Sequence, residues 1–285
     1  MQAEKTVKVA GIHLAGPNSP KTTVVIMTGR PGEGNLKITA VLDRMGALHR
    51  LFSDDRLFEF LKTQMPDRIM IDCPLTLPPC VACTRPSCPG VNACEDIAVA
   101  YMQKLAESSA GKKRKRLMNP QTQRIWDVKE WFHWSPSLQE PTYSANKAPL
   151  VVRGMTLQRR LNALSEPLRL WETSIPHAVT CLVDQLGLSR ELAYQYRAFE
   201  IGREQRTLLL EALHANGYLE EDDIDEVAAS VESFSATIAA VVAALQLAGL
   251  CSVPDNAFFQ EQGWVYLPAV ACMWPREEAD QGAGV

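Results

Sequence analysis

The chain begins with three short segments in which β-branched and apolar residues alternate with polar ones. These segments, 6–14, 22–28 and 36–42, predict strands, and the turns between them are too short to hold a helical crossover. Neighbouring strands in this region are therefore expected to be antiparallel. A helix is predicted from residue 53 to residue 62, and the apolar run 68–73 is typical of a strand that is covered on both faces. The order β-β-β-α-β favours an α/β fold.

The remainder of the chain alternates between helix and strand patterns. Helices are predicted over 95–108, 155–164, 190–215 and 232–250, with another beginning at Pro176, and strands over 168–172 and 263–268. No repeat or linker interrupts this order, so we expect one domain over 1–274, with a lid-like irregular segment over 111–150. A polar tail over 275–285 is expected to be disordered.

Charge and hydropathy restrict the class of protein. The 285 residues carry a formal net charge of −4, which excludes a strongly basic, histone-like binder but leaves room for local basic patches. The longest apolar run, 234–250, is shorter than the roughly 20 residues that a membrane-spanning helix needs, and residues 1–5 do not resemble a secretory signal. We therefore expect a soluble, cytoplasmic protein without a membrane partner.

Four of the eight cysteines lie within fifteen residues, directly after the fourth predicted strand. They are Cys80, Cys83, Cys88 and Cys94. This spacing suits a tetrahedral Zn²⁺ site in an inserted loop over 73–94. An iron–sulfur cluster is less favoured because the spacing differs from that of bacterial ferredoxins. Reduced thiols or two loop disulfides are the remaining alternatives, although the absence of a secretory signal argues against a disulfide framework.

A basic run precedes a segment that is rich in tryptophan. The run consists of Lys112, Lys113, Arg114, Lys115 and Arg116, and Trp126 is the first ring after it. Lysine and arginine side chains bind phosphates, and aromatic rings stack on unpaired bases, so this combination predicts a loop that binds a nucleic-acid strand. The alternative is a solvated charged loop followed by tryptophans that pack as a lid.

Seven short motifs give a more specific indication of the family. They are VAGIHLAG at 9–16, IDCPLTLP at 71–78, TQR at 122–124, ANKAPL at 145–150, WE at 171–172 with Pro176, SFSA at 233–236 and GWVYLP at 263–268. In this order they resemble the domain of unknown function 429 family, whose members are predicted nucleases with a ribonuclease H-like fold. The resemblance extends from about residue 7 to residue 268. It implies a mixed five-stranded sheet flanked by helices.

The resemblance also implies an acidic site for two-metal hydrolysis, in which carboxylates hold two Mg²⁺ or Mn²⁺ ions about 3.5–4 Å apart. The positions expected to be acidic are His13, Asp72, Glu172 and Ser235 here. A neutral imidazole at position 13 cannot bridge two cations, and Ser235 offers only a hydroxyl. Glu232, on the same helix face as Ser235, is the expected substitute ligand.

Each of these side chains also has a simpler interpretation. Asp72 would cap a turn at a strand end, Glu172 would pair with an arginine, and His13 would be a hydrogen-bonded core residue. Under the nuclease interpretation, Asp72 and Glu172 are metal ligands, His13 and Glu232 are auxiliary ligands, and Arg124 holds the phosphate backbone together with the basic run.

The leading prediction is metal-dependent phosphodiester hydrolysis of DNA or RNA, at full or reduced activity. Two other functions stay open at this point. One is a non-catalytic binding or scaffold module that keeps the fold and the zinc site, which the missing acids favour. The other is a nucleotide phosphohydrolase, although no glycine-rich phosphate loop of the usual kind supports it.

Overall fold

The structure is a computed structural model, and it describes residues 6–16, 19–30, 34–43, 53–108, 118–130, 141–220 and 224–269. Its strands are β1 (Val7–His13), β2 (Thr23–Arg30), β3 (Gly34–Leu42), β4 (Arg68–Ile71) and β5 (Leu170–Glu172). They form one sheet of five strands in the order β3-β2-β1-β4-β5. The basic run 112–116, residues 131–140 of the predicted lid-like segment and the tail 275–285 lie outside the described residues.

The sheet is mixed, as the sequence predicted. Strands β1, β2 and β3 are antiparallel neighbours, whereas β4 runs parallel to β1 and β5 runs parallel to β4. The carboxyl ends of β1, β4 and β5 therefore meet at one edge of the sheet. This edge is where α/β proteins commonly bind ligands.

Helices cover both faces of the sheet. They are α1 (Ser53–Gln64), α2 (Pro79–Ala82), α3 (Ile97–Ser108), α4 (Ile125–Glu130), α5 (Ala148–Asn162), α6 (Ile175–Gln185), α7 (Arg190–Gln195), α8 (Gly202–Ala215), α9 (Ile224–Ala228), α10 (Val231–Leu247) and α11 (Ala257–Glu261), with a 3₁₀ turn at Val91–Ala93. In the described residues, no helix is both long enough and apolar enough to cross a membrane.

Helix α10 packs closely against the middle of the sheet because one strand residue lacks a side chain. A Cβ atom on Gly11 would lie 2.0 Å from the carbonyl oxygen of Ala236 and 2.3 Å from the amide nitrogen of Ala240. The alanines on this helix face leave room for the same close approach. The prediction of a buried helix in this region is confirmed, since every residue from Ser233 to Leu245 is buried.

Strand β1 divides the apolar side chains between two cores. Val9 belongs to the larger core, which α10 and α6 share, whereas Ala10 and Ile12 belong to the smaller core. Helices α1 and α5 supply Leu57 and Leu161 to that smaller core. Because both faces are covered, β1 has buried residues on successive positions instead of a polar outer face.

Three details of the predicted element order are wrong. The helix expected over 190–215 is divided into α7 and α8. At the break, the buried Arg206 side chain satisfies the carbonyl of Tyr196, to which it donates at 2.7 Å. The strand expected over 263–268 is reduced to isolated bridges at Val265 and Pro268. The irregular segment expected over 111–150 contains α4.

Candidate functional site

A cavity of about 400 Å³ opens at the carboxyl ends of the three parallel strands. The fold brings together five of the predicted site residues there: His13, Asp72, Arg124, Trp126 and Glu172 all line it. His13 ends β1, Asp72 follows β4 and Glu172 ends β5, so the parallel pairing alone explains why three of them meet. Further lining residues were not predicted from sequence, namely Lys147, His177, Tyr194, Tyr196 and Arg197.

Glu172 forms a two-pronged ion pair with Arg124. The Arg124 Nη1 and Nη2 atoms donate to the two carboxylate oxygens at 2.7 and 2.6 Å, and the amide of Leu75 donates to one of them at 3.1 Å. The other guanidinium donors reach the hydroxyls of Thr142 and Thr76 at 2.8 and 3.0 Å. Burial lowers the pKa of Arg124, but the charges of Glu172 and Asp127 outweigh it, so the pKa lies above its ordinary value.

This ion pair affects the metal-ligand role predicted for Glu172 and the phosphate-binding role predicted for Arg124. The Arg124 side chain is only 2% exposed and the Glu172 side chain only 6% exposed. Each oxygen of Glu172 already accepts a charged hydrogen bond, so binding a cation there would require the ion pair to open. Arg124 would likewise have to leave Glu172 unpaired in order to reach a phosphate, which is unfavourable in a buried site.

Asp127 fixes the wall of the cavity on the other side of Arg124. Its Oδ2 atom accepts hydrogen bonds from the backbone amides of Arg124 and Thr142 at 2.8 and 3.2 Å. Its Oδ1 atom accepts from the Thr142 hydroxyl at 2.9 Å. The carboxylate therefore joins the start of α4 to the segment 141–147, which carries Lys147 into the cavity lining.

Asp72 differs from the other two carboxylates because one of its oxygens faces the cavity without a charged partner at bonding distance. Its Oδ1 atom accepts from the amide of Ile175 at 3.3 Å, at the amino-terminal end of α6. Its Oδ2 atom lies 3.6 Å from the His13 Nδ1 atom, beyond a direct hydrogen bond. Among the described residues, His13 Nδ1 has no hydrogen-bond partner. Asp72, whose side chain is 18% exposed and lines the cavity, can therefore accept a hydrogen bond from a ligand there.

The two helix residues expected to complete the acidic site do not line the cavity. Glu232 accepts from Lys21 at 2.8 Å. Burial raises the pKa of Glu232, but the hydrogen bond and charge of Lys21 and the charge of His13 lower it to a net value below the ordinary one. Ser235 is completely buried in α10. Glu232 is thus near His13 but on the side of Lys21, and Ser235 is out of reach of a ligand.

Positive charge and aromatic rings form the remainder of the lining. Lys147 and Arg197 contribute the charge, and the Arg197 guanidinium lies 5.2 Å from the centre of the Tyr196 ring. Trp126 contacts His177 edge to face, with 5.4 Å between the ring centres. Burial and the charge of Lys147 lower the pKa of His177 to about 3, so this imidazole is neutral near pH 7.

The sequence contained an indication of two of these additional lining residues. Lys147 lies inside the ANKAPL motif, and His177 directly follows the proline of the WE motif. Nothing in the sequence pointed to Tyr196 or Arg197, because they enter the cavity only where the expected long helix is broken between α7 and α8.

The donors at this edge do not suit a two-ion centre. Of the four positions, Glu172 is paired with Arg124, His13 is an imidazole and Ser235 is buried, so Asp72 alone offers a carboxylate to the cavity. Across the described parts of the chain, no three His, Cys, Asp or Glu side chains are grouped so as to hold a metal ion. The two-metal expectation therefore lacks the bridging and flanking carboxylates that it needs.

The chain was compared with family models, with curated proteins and with solved structures, and none of them matches it.

Proposed function

We propose that the cavity binds a phosphate ester of a nucleotide or of a nucleic-acid strand and hydrolyses it, with Asp72 as the central residue. The observation that carries this proposal is the pairing of Asp72 with His13 at 3.6 Å inside a cavity at the edge of parallel strands. A carboxylate in a cavity lining is a common general base, since it can accept a proton from a bound water molecule.

The lining combines three acidic side chains, Asp72, Asp127 and Glu172, with three basic ones, Arg124, Lys147 and Arg197. Because Arg124 is held by Glu172, Lys147 and Arg197 are the basic groups that would contact an anionic substrate. A volume of about 400 Å³ suits a nucleotide-sized group. We therefore expect the substrate to be a nucleotide or the end of an unpaired strand, with Trp126 or Tyr194 beside its base.

The chemistry follows from the position of the Asp72 carboxylate in the cavity lining. A water molecule that donates a hydrogen bond to Asp72 would lose that proton to the carboxylate while its oxygen forms the new bond to phosphorus. The ester bond from phosphorus to the leaving oxygen breaks, and that oxygen takes up the proton. His13 is a positioning residue in this step, since its Nδ1 atom lies 3.6 Å from the Asp72 Oδ2 atom.

A single divalent cation is compatible with the same donors. Asp72 offers a carboxylate oxygen and His13 a ring nitrogen, which Mn²⁺ accepts and Mg²⁺ accepts less readily. Such an ion would supply positive charge to the phosphoryl oxygens. In this proposal Glu172 and Arg124 are positioning residues that hold the cavity wall, and the role of the 112–116 run in binding a strand stays a prediction.

The proposed family agrees with this assignment. A mixed sheet in which three antiparallel strands are followed by two parallel ones is compatible with a ribonuclease H-like fold. Membership of the domain of unknown function 429 family is supported by the order of the motifs, six of which contribute residues to the cavity lining.

A non-catalytic binding module is the second candidate. Two observations favour it. The ion pair with Arg124 occupies Glu172, an acid that a two-metal site would need, and position 235 carries a buried serine instead of an acid. This module would use the same lysine, arginine and aromatic lining to hold a nucleotide without cleaving it.

The test is hydrolysis of single-stranded DNA and RNA, nucleoside phosphates and a chromogenic phosphodiester, each with Mg²⁺, with Mn²⁺ and with a chelator. We expect Asp72→Asn to lower the rate by about 10²–10⁴-fold. The matched control is Asp55→Asn, since Asp55 is an exposed acid that pairs with Arg160 away from the cavity. It should leave the rate unchanged.

Two results would overturn the hydrolase proposal. One is hydrolysis that Asp72→Asn leaves intact, and the other is the absence of hydrolysis of every substrate by the folded wild-type protein. Binding of labelled oligonucleotides or nucleotides then separates the two candidates. A saturable complex that Arg197→Ala weakens, without any cleavage, would establish the binding module.

A further inference from the structure

The loop that carries the clustered cysteines is ordered with very little apolar burial. It runs from α2 to the start of α3, and every residue from 81 to 90 is exposed. Neither α2 nor the 3₁₀ turn at Val91–Ala93 buries a residue. Segments with so few buried contacts usually open easily, so another interaction must hold this loop in place.

The loop nevertheless has a defined path. The amide of Cys80 donates to the carbonyl of Pro120 at 3.0 Å, which joins the loop to the segment before α4. The Gln103 side chain donates to the carbonyl of Val91 at 2.6 Å, and Gly90 has the positive φ of 87° that a tight turn requires. The first cysteine of the cluster, Cys80, thus lies in α2, and the last, Cys94, directly follows the 3₁₀ turn.

The four cysteines lie within fifteen residues of one another along this loop. All four sulfur atoms are free of disulfides. Such a group of thiols is typical of a site for a thiolate-binding cation.

We propose that Cys80, Cys83, Cys88 and Cys94 bind one structural Zn²⁺ ion. The donors are of one kind and number four, as in closed structural zinc sites. The sulfur atoms are not grouped at ligand spacing among the described residues, but Cys83 and Cys88 are exposed, so their side chains are free to rotate towards the other two. Coordination then supplies the stability that apolar burial does not.

The ion would also support the cavity from a distance. Cys80 is bonded to Pro120, and three residues further on Gln123 accepts from the amide of Asn119 at 2.7 Å in the turn that leads to Arg124. Zinc binding should therefore steady the turn that places Arg124 against Glu172. This inference is independent of the proposed hydrolysis, since a binding module would need the same turn.

The experiment measures zinc per chain by mass spectrometry after purification under reducing conditions without added chelator. We expect about one ion in the wild-type protein, as a closed site of four ligands requires. The single variants Cys83→Ser and Cys88→Ser should each lose most of the bound zinc. These two thiols are exposed, so their replacement leaves the apolar cores untouched. The matched controls are Ser87→Ala in the same loop and Cys251→Ser in the core, and both should keep the ion.

A second measurement identifies the ligands without depending on a variant. Exchange of the native ion for Co²⁺ should give the intense thiolate charge-transfer and ligand-field absorption of a tetrahedral sulfur site. A protein that contains iron and acid-labile sulfide would overturn the assignment to zinc. A protein that binds no added Zn²⁺ or Co²⁺, or whose four cysteines are found in disulfides under these conditions, would overturn the site itself.

Discussion

At the scale of single residues, the three carboxylates around the cavity have three different surroundings. Glu172 is held by a buried guanidinium, Asp127 by two backbone amides and a hydroxyl, and Asp72 by one helix amide. Only Asp72 has an oxygen beside an imidazole, at 3.6 Å. Three side chains with the same carboxylate group thus differ in how many hydrogen bonds they accept from the protein.

The buried ion pair predicts a large stability effect at Glu172. Glu172→Gln would leave the Arg124 charge without its partner in a buried site, which costs about 3–5 kcal/mol of unfolding free energy. Glu232→Gln is the control, because its partner Lys21 is 63% exposed and such pairs contribute about 0–1 kcal/mol. Urea denaturation of both variants checks the difference. Equal losses of unfolding free energy in the two variants would show that the buried Glu172 pair contributes no more stability than the exposed one.

The buried imidazole of His177 predicts a pH dependence of stability. Its pKa is about 3 in the folded chain against an ordinary value near 6.5, so between these values the unfolded chain binds more protons. The neutral histidine therefore stabilises the fold fully above about pH 6.5 and progressively less as the pH falls towards 3.

Comparison with His177→Gln isolates this effect from that of the carboxylates. The difference in unfolding free energy between wild type and variant should shrink by about 2 kcal/mol between pH 7.5 and pH 5. Denaturant titrations at both pH values give that difference directly. A difference that does not change with pH would mean that His177 is protonated as readily in the folded chain as in the unfolded one.

At the scale of elements, the contact between α10 and β1 decides where the site edge lies. The helix covers β1, β2 and β4, and the missing side chain at Gly11 allows its backbone to approach the strand. This approach aligns the end of β1 with the start of α10, so that His13 comes near Glu232.

Gly11→Ala should separate these two elements. The new Cβ atom would meet the helix backbone rather than a movable side chain, so we expect a loss of about 1–3 kcal/mol or more. Gly16→Ala is the matched control, because no atom lies within 4 Å of a Cβ atom there. Thermal unfolding of the two variants should give a clear drop for the first and little change for the second. A stable Gly11→Ala protein would contradict the packing described.

Most elements were predictable because their signals are local. Alternation identified β1 to β3, and the apolar runs identified β4 and α10. The helix expected over 190–215 is interrupted at a place where the Arg206 side chain donates to carbonyls 10 and 22 positions away. Hydrogen bonds between residues that are distant in sequence leave no sign in the local hydrophobic pattern.

At the scale of the whole molecule, one sheet lies between two apolar cores and contributes side chains to both. Alternate residues of β1 enter different cores, and α10 contacts three strands on one face while α1 and α5 pack on the other. Neither core is complete without the sheet. The two should therefore be lost together when the chain unfolds.

We accordingly predict a single cooperative unfolding transition. Far-ultraviolet circular dichroism, which reports helices, and tryptophan fluorescence should give coincident denaturation curves, as two-state unfolding requires. The result also tests the expectation of one domain over 1–274. Two separate transitions, or curves with different midpoints, would show that one core unfolds without the other.

The sequence by itself determined the α/β class, the antiparallel start of the sheet and the placement of His13, Asp72 and Glu172 at strand ends, since these follow from short-range periodicity and from the geometry of parallel pairing. Only the tertiary structure decided what each acid does. Glu172 meets Arg124 across 48 residues, and Arg197 enters the cavity through a break that no pattern marks. Charge partners are chosen by distance in space and by burial, and neither can be read from neighbours along the chain.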